Sequence, residues 1–600
     1  MEFVKDLKGT LISLEENAES RFKFEIWFDY TKKAMNLIRE GAMLAVDNFA
    51  STQNERHLSI LEVVSILPIH YALGKDTSGF PGFVVEAAKN VVNDWEDQEN
   101  EATEDTTKIR CIAIPTNFEV VLRAQVSQSR PPLQEEQNIP MVGATASLLD
   151  TISTEYVVNY GITQGENTFP AGTLIRDSDV RVQIRVEELL RTHFGIFGFT
   201  GSGKSNLLST LINHLFASSR NENIKIVFFD LMGEYSALLI DHLVQMPDAM
   251  LITLGEETLP GSVARYARDK SDSNLHRAVG DLTNTTLYPR ALSPYQSQFA
   301  APLRNFLQNC KIRYWERGNP TIGELVRLVQ IKGNMGNSAS TVRALLDDLE
   351  REYGRNHLST QNHNEILARI DQVQSQPKIS QTASENLRNL RALIEEEWAR
   401  QSTSEPLPPE FSISVPQLIQ RLNDQSSSGL YIIQSHDPDK LRNFASMLGN
   451  FTYEERRRSG QIGPLVSFIF DEADEFIPQN ASGSQTQSSE IAMTLARRGR
   501  KFGLGIGIAT QRVIYLNSSI MAQPHTYFVS KLPRKSDRER VAEAFGVSED
   551  MLSQTFKFKK GNWLLISHGA TGLESVPLPI YSQNANDRIQ QFLTNFNQQS

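Results

Sequence analysis

The sequence predicts an α/β protein: a parallel sheet covered on both faces, preceded by a small N-terminal β-barrel or sheet and interrupted by a helical insertion. Three observations carry this. Short apolar runs separated by Gly, Asn and Asp fill residues 1–72. Beyond residue 190, buried-looking strands alternate with amphipathic helices, the pattern of a parallel sheet with helices on both faces. The chain has 600 residues, and single cores stop growing near about 250–300 residues, so several units are expected.

Composition narrows the class. Hydrophobic residues are 40% and charged residues 22%, both globular values, and 35 Gly with 25 Pro exclude a collagen-like or wholly disordered chain. Sixty basic against 71 acidic residues leave a net charge of −11, which argues against coating nucleic acid with the whole surface but leaves local basic loops open. Two distant cysteines, Cys111 and Cys310, exclude a disulfide framework and a Cys-based zinc site. No apolar run approaches the roughly 18–20 residues of a membrane span. The opening MEFVKDLKGTLISLEE lacks a signal-peptide apolar region. A soluble, cytoplasmic chain without a membrane partner is expected.

Taken in order, LKGTLISL, FKFEIWF, GAMLAVDNFA and LSILEVVSILPI read as short strands. Residues 82–105 read as a helix ending in the acidic run DWEDQENEATED. Strand-like pieces return at IRCIAIP, FEVVLRAQV and EYVVNYGI, with SQSRPPLQEEQNIP as a loop among them. The second region places strands at Phe194–Phe197, Ile224–Phe229, Leu430–Ile433, Leu465–Phe470, Leu504–Ala509 and Thr526–Lys531. Between the second and third of these, RALLDDLERE and ENLRNLRALIEEEWARQ have helical spacing. Ser536-Asp-Arg-Glu539 reads as a capping box opening a helix over 537–545, which Gly546 ends. Lys557, Lys559 and Lys560 make a small basic patch before the strand Asn562–Ser567.

The strongest motif is Gly198-Phe199-Thr200-Gly201-Ser202-Gly203-Lys204-Ser205, a complete G-x-x-x-x-G-K-[ST] sequence between a strand and a helix. The glycines let successive backbone N–H groups turn inward onto phosphate oxygens, and the helix N-terminus adds a favourable dipole. Lys204 should reach the β and γ phosphates of ATP, and the Ser205 hydroxyl should bind Mg²⁺. Asp471-Glu472 ends the apolar strand Leu465–Phe470, where an open α/β sheet gathers ligand groups; Asp471 would hold the metal shell and Glu472 polarise water. Asp474 and Glu475 read as a solvated acidic loop. Asp230 and Glu234 end another strand, where they either orient water or the metal shell or, for Glu234, cap a helix. Gln511 closes the strand Leu504–Ala509 as a γ-phosphate sensor, and Arg497, Arg498 and Arg500 cluster at the end of the preceding helix.

Four blocks, HFGIFGFTGSGKSN, FFDLMGEYSAL, FIFDEADEFIP and LARRGRKFGLGIGIATQR with VSKLPRKSDRERV, together resemble the HerA branch of the HerA/FtsK superfamily of hexameric DNA-translocating ATPases. That resemblance implies a RecA-like P-loop ATPase core. It assigns nucleotide binding to Gly198, Thr200, Gly201, Ser202, Gly203, Lys204, Ser205 and Asn206, the metal to Ser205 and Asp471, and catalysis to Lys204, Glu472 and Gln511 with Arg498 or Arg500. The family arginine before the first core strand has its counterpart in Arg191, displaced by one position, and His193 reads as a packed core residue. Where many relatives read E-E-A-H, this chain has Asp471-Glu472-Ala473-Asp474.

The implied organisation is a barrel over 1–170, an ATPase core over 171–260 and 426–585, a helical insertion over 261–425 and a flexible tail over 586–600. The implied function is a homohexameric ring that translocates double-stranded DNA without sequence preference. It would work with a nuclease or a sirtuin-like NAD hydrolase in bacterial antiviral defence, with the DNA-end-processing motor of a NurA-type repair complex as the runner-up. The alternative is an ATP-gated scaffold for such an effector. Lys332–Asn337 and Gln479–Gln485 are the candidate DNA-facing loops.

Overall fold

The computed structural model describes residues 1–599 except 18–20, 71–106, 124–130, 164, 166, 219–222, 316–320, 329–334, 355, 357, 404–406, 548–550 and 553. The helix and acidic run expected over 82–105, the start of the 127–140 loop and the first half of the Lys332–Asn337 loop lie outside the described residues. Among the described residues, no helix is long and apolar enough to cross a membrane.

The first sheet contains β1 (Phe3–Asn17), β2 (Arg21–Asp29), β3 (Met43–Asp47), β4 (Glu55–His70), β5 (Thr107–Arg123), β6 (Leu133–Glu135) and β7 (Thr145–Leu149). Their order is β2-β1-β7-β3-β4-β5-β6, and β2 pairs with β5 as well, so six antiparallel strands return on themselves. Alternate residues such as Phe24, Ile26 and Phe28 on β2, and Ile109 and Cys111 on β5, point into a common apolar interior, as the two-residue strand period requires.

Three readings change here. IRCIAIP and the start of FEVVLRAQV form a single strand, β5, passing through Pro115, with register shifts against β4 at Ser59/Leu61 and Val63/Ser65. Part of the expected loop is β6, paired with Phe118–Val120. EYVVNYGI is not a strand: Thr151–Val158 is a helix, because the Asp150 carboxylate accepts the Ser153 N–H at 2.8 Å as its N-cap. Val157 and Val158 then pack into the main core, so tertiary burial overrides their β-branched preference.

The second sheet contains β8 (Thr168–Leu174), β9 (Arg181–Arg185), β10 (Phe194–Phe197), β11 (Ile224–Asp230), β12 (Asp248–Thr253), β13 (Ile312–Trp315), β14 (Ser412–Ile413), β15 (Gly429–Gln434), β16 (Leu465–Asp471), β17 (Leu504–Thr510), β18 (Thr526–Val529), β19 (Asn562–Ser567) and β20 (Leu578–Tyr581). The order is β14-β13-β12-β15-β11-β16-β17-β10-β18-β19-β20-β8-β9. Pairings from β14 through β18 are parallel, and those from β18 to β9 are antiparallel. The central strands β10, β11, β15, β16 and β17 are buried along their whole lengths, which explains their unbroken apolar runs. Two glycines on β17 are demanded by close approach: a Cβ on Gly505 would overlap the Leu190 carbonyl, and one on Gly507 the Phe194 ring.

The span 261–425 is not wholly a helical insertion. β13 and β14 extend the parallel sheet, and helices Gly261–Arg268, Asp272–Thr285 and Ala300–Gln308 pack into the main core through Val263, Leu275, Leu282 and Phe306. A separate apolar cluster, including Leu325, Leu349, Ile366, Leu390 and Ile394, joins helices Ile322–Leu328, Ala339–Tyr353, Thr360–Gln374 and Gln381–Thr403.

The helix near 537–545 spans Lys535–Phe545 and has Arg534 at its N-cap, so Ser536 lies inside it and no capping box forms; Gly546 does end it, at φ +64°. Residues 586–599 are not a flexible tail. Helix Ala585–Gln599 buries Ile589 and Leu593, and Arg588 pairs with Asp241 and donates to Ser209 Oγ at 2.7 Å.

One buried cation fixes the strand that carries the carboxylates. Arg456 is fully buried and donates to Asn423 Oδ1 (2.6 Å) and to the carbonyls of Ile462, Pro464, Leu422 and Phe502 (2.8–3.3 Å). These clamp the starts of β16 and β17 together, and burial pulls the guanidinium pKa down to about 10. Arg456→Met keeps the bulk but orphans the carbonyls, so chemical denaturation should show a loss of about 3 kcal/mol or more. Wild-type stability in this variant would contradict the clamp.

Candidate active site

The phosphate-loop sequence joins β10 to the helix Lys204–Ser218. Gly201 (φ +85°) and Gly203 (φ +103°) adopt left-handed backbone that a side chain would strain. Neighbouring strands hold the loop: Gly198 N–H meets Thr510 O at 3.5 Å, Phe199 N–H donates to Lys531 O at 3.0 Å, and Gly561 N–H donates to Ser202 O at 3.1 Å. A Cβ on Gly198 would lie 2.6 Å from Ser202 Oγ, and that buried hydroxyl has no hydrogen-bond partner among the described residues.

Lys204 is 6% exposed, and its Nζ donates to Asp471 Oδ1 at 2.5 Å and Glu472 Oε1 at 2.9 Å. Burial alone would lower the ammonium pKa, but the two carboxylates outweigh it and raise the pKa above its ordinary value. Glu472 has a left-handed backbone (φ +48°, ψ +54°), rare for a non-glycine residue and worth about 1–3 kcal/mol of strain. That bend turns its carboxylate back toward the loop. Gln511 Nε2 donates to Glu472 Oε1 at 2.7 Å, and Thr200 Oγ1 donates to Gln511 Oε1. A continuous polar chain therefore runs Thr200–Gln511–Glu472–Lys204–Asp471 across β10, β17 and β16. The structure thus brings together five of the residues singled out from sequence.

Asp474 is not solvated. It is buried, accepts from Thr510 Oγ1 at 2.6 Å, and burial raises its pKa, so it supports the strand end carrying Gln511. Glu475 is half-exposed and pairs with Arg442 at 2.9 Å. Asp230 accepts from Gly233 N–H (2.7 Å), Tyr235 N–H (3.0 Å) and Gln434 Nε2 (2.9 Å), so it is committed to the turn after β11. Glu234 occupies the N-cap of helix Tyr235–Leu238 but its side chain makes no cap bond. The Asn206 amide is spent on Asn584 Oδ1 (2.7 Å) and the Ala585 N–H (3.1 Å), bracing the C-terminal helix. Sequence reading missed this brace, the Thr200–Gln511 bond and the Gly561 contact, because each joins positions hundreds of residues apart and no local pattern signals them. It also missed the buried Tyr235 hydroxyl, which lies beside Ser205 and whose pKa burial pushes well above its usual value.

The arginines do not join this cluster within one chain. Arg498 and Arg500 are exposed just before β17, and Arg191 pairs with Glu187 on its own helix at 2.5 Å. β17 runs from Leu504 to Thr510, and at about 3.3 Å per residue this puts roughly 20 Å between that end and Gln511. His193 packs at the arginine end: its Nε2 donates to Ala496 O at 2.8 Å and its Nδ1 accepts from Ile506 N–H at 3.1 Å. Burial lowers its pKa to about 4, consistent with a neutral ring in this arrangement. Gln479–Gln485 follows β16 at the phosphate-loop edge, where Gln479 Oε1 accepts from Ser518 N–H (3.0 Å) and Arg540 Nη2 (2.7 Å). Of the other loop, Met335 is buried in the helical cluster.

A phosphate loop, a carboxylate pair and a glutamine on adjacent ends of a parallel sheet define a P-loop ATPase. The family model for the central domain of helicase HerA matches residues 169–432. The DNA double-strand break repair helicase HerA of Pyrococcus furiosus is 21% identical over 412 residues, covering 67% of this chain and 68% of the relative. The HerA of Sulfurisphaera tokodaii is 22% identical over 446 residues, covering 73% and 72%. Among solved structures, VirB4 of Thermoanaerobacter pseudethanolicus aligns at 13% identity with a TM-score of 0.39, covering 70% of this chain and 98% of that one. The conjugative coupling protein TrwB aligns at 14% and 0.38, covering 73% and 93%. Over its central region the chain is similar to HerA helicases, and it is an ATP-hydrolysing enzyme with a P-loop core.

Burial raises the Asp230 pKa from 3.8 to about 6. A carboxyl raised in the folded state contributes stability that is fully present below pH 3.8 and is lost as pH rises through about 6. Unfolding measured between these limits should therefore show an Asp230-dependent loss of stability with rising pH, absent in Asp230→Asn. An equal slope in the variant would place the titration elsewhere.

Proposed function

We propose that this chain is the subunit of a ring-shaped, ATP-driven translocase acting on double-stranded DNA. The observation that carries the reading is the polar chain from Thr200 to Asp471, which links a γ-phosphate sensor, a general base and the phosphate-loop lysine. The P. furiosus and S. tokodaii relatives are named as DNA repair helicases, which supports DNA as the track.

The residues present fit Mg·ATP. Ser205 and Asp471 offer hard oxygen donors of the kind Mg²⁺ prefers, and the unpartnered Ser202 hydroxyl lies in a glycine cradle that a Cβ would fill. Bound magnesium would neutralise charge on the phosphates. Gly198, Thr200, Gly201, Ser202 and Gly203 would wrap those phosphates, with Lys204 donating to the β and γ oxygens instead of to the carboxylates. Glu472 would take the proton from water, and Gln511 would hold Glu472 in place while sensing the γ-phosphate through Thr200. Asn206, braced by Asn584, would serve the C-terminal helix rather than the nucleotide.

Arg191, Arg498 and Arg500 sit near the N-terminal ends of β10 and β17, the opposite end of these strands from their own phosphate loop, so their contribution would be to a neighbouring subunit's site. This supports a closed ring, with a hexamer as the expected count. An acidic chain suits such a ring, because only channel-facing loops such as Gln479–Gln485 need to meet phosphates. The effector, a nuclease or an NAD hydrolase, and a cytoplasmic role in antiviral defence remain part of this proposal; the names of the relatives favour the repair setting instead. Co-purification from the native host would distinguish them by the enzyme that accompanies the chain.

Lys204→Ala should reduce ATP turnover by about 100-fold or more, while Glu472→Gln should keep ATP binding and lose turnover to a similar extent. Duplex DNA should stimulate the wild-type rate, and raising salt should weaken that stimulation. Turnover that responds to an effector but not to DNA would favour the scaffold reading. Wild-type turnover in either variant would overturn the site.

A further inference from the structure

The carboxylates and Gln511 occupy one flank of the phosphate loop. β10 has β17 and β16 on one side, carrying Gln511, Asp471 and Glu472. On its other side are β18, β19 and β20. A triphosphate whose γ end faces Glu472 must therefore direct its nucleoside toward β18–β20. That flank is built, and its exposed groups have no assigned role.

The turn entering β19 touches the phosphate loop directly. Gly561 N–H donates to Ser202 O at 3.1 Å, and Gly561 O accepts from Ser582 N–H at 2.9 Å. A Cβ placed on Gly203 would lie 3.6 Å from Gly561 N and 3.8 Å from Lys560 Cγ. Gly561 has φ +88°, and a Cβ there would lie 3.2 Å from the Tyr581 ring. Tyr581 ends β20 opposite Asn562 and is 46% exposed, a large aromatic open to solvent next to the phosphate loop. Nearby alternatives are engaged: Phe556 is covered by the Arg538 guanidinium at 4.4 Å, and Lys557 pairs with Glu40 at 2.8 Å. Lys559 and Lys560 are exposed.

We propose that this flank is the nucleoside subsite: the Tyr581 ring stacks on the base, and the Lys560 ammonium meets the α-phosphate beside Gly203. The assignment rests on the ATP-site reading above and extends it from the phosphates to the base. Any base offers a π-face, so stacking on Tyr581 favours nucleotides over bare polyphosphate without strong selection among purines. The glycine at 561 follows from the same geometry. A side chain there would meet the Tyr581 ring and strain the turn that holds the phosphate loop.

Calorimetric binding of Mg·ATP and of inorganic tripolyphosphate to the full chain separates the roles. Tyr581→Ala should weaken ATP about tenfold or more while leaving tripolyphosphate unchanged. Tyr581→Phe should bind ATP as the wild type does, and Tyr581→Leu, which keeps apolar bulk should alanine unfold the edge, should behave as alanine is expected to. Lys560→Gln should weaken ATP and tripolyphosphate alike. Unchanged ATP binding in Tyr581→Ala or Tyr581→Leu, an equal loss of tripolyphosphate in them, or unchanged binding of both ligands in Lys560→Gln overturns the subsite while leaving the phosphate site standing. A wild-type chain that binds neither ligand overturns both.

Discussion

The arrangement depends on one buried ammonium. Lys204 is nearly inaccessible to solvent, and a charge so placed is tolerated only because two carboxylates share it. This sets demands in several directions. Asp471 must sit at the last position of β16, and Glu472 must bend into left-handed backbone to turn back onto the same cation. Gln511 must reach from β17 to hold the Glu472 oxygen that Lys204 also uses. The phosphate loop, the carboxylate strand and the strand ending at Gln511 are thus mechanically one object. Phosphate oxygens competing for Lys204 would release Glu472 and Gln511 together.

The sheet turns that local object into a directional one. Its parallel strands place the phosphate loop, the carboxylates and Gln511 at their C-terminal ends and the exposed Arg498 and Arg500 near their N-terminal ends. His193 and Gly505 hold the arginine end rigid, the first by bonding Ala496 and Ile506, the second by letting the Leu190 carbonyl approach β17. In the proposed ring, the arginines at the N-terminal ends of these strands would serve a neighbouring subunit's site.

Much of this was legible in the sequence where function and local pattern coincide. The phosphate loop announces itself because turn, strand and helix are contiguous, and six central strands read correctly because burial on both faces leaves uninterrupted apolar runs. Legibility failed where tertiary context decides. The Val157–Val158 pair looks like strand, yet an aspartate cap and the main core make it helix. β12, β13 and β14 are short and separated by helices, so their membership of the sheet depends on pairing with distant strands rather than on their own composition. Asp474 looked solvated beside Glu475, but Thr510 buries it. The Gln/Asn-rich C-terminus looked frayed, yet Arg588 ties it to Asp241 and Ser209. Long-range contacts of this sort leave no periodic trace.

The most direct test of the shared ammonium is the structure of the Glu472→Gln chain bound to Mg·ATP. The account predicts Lys204 Nζ within hydrogen-bonding distance of phosphate oxygens and withdrawn from residues 471 and 472, with Gln511 still bonded to residue 472. Lys204 remaining on Asp471 with nucleotide bound elsewhere would contradict it.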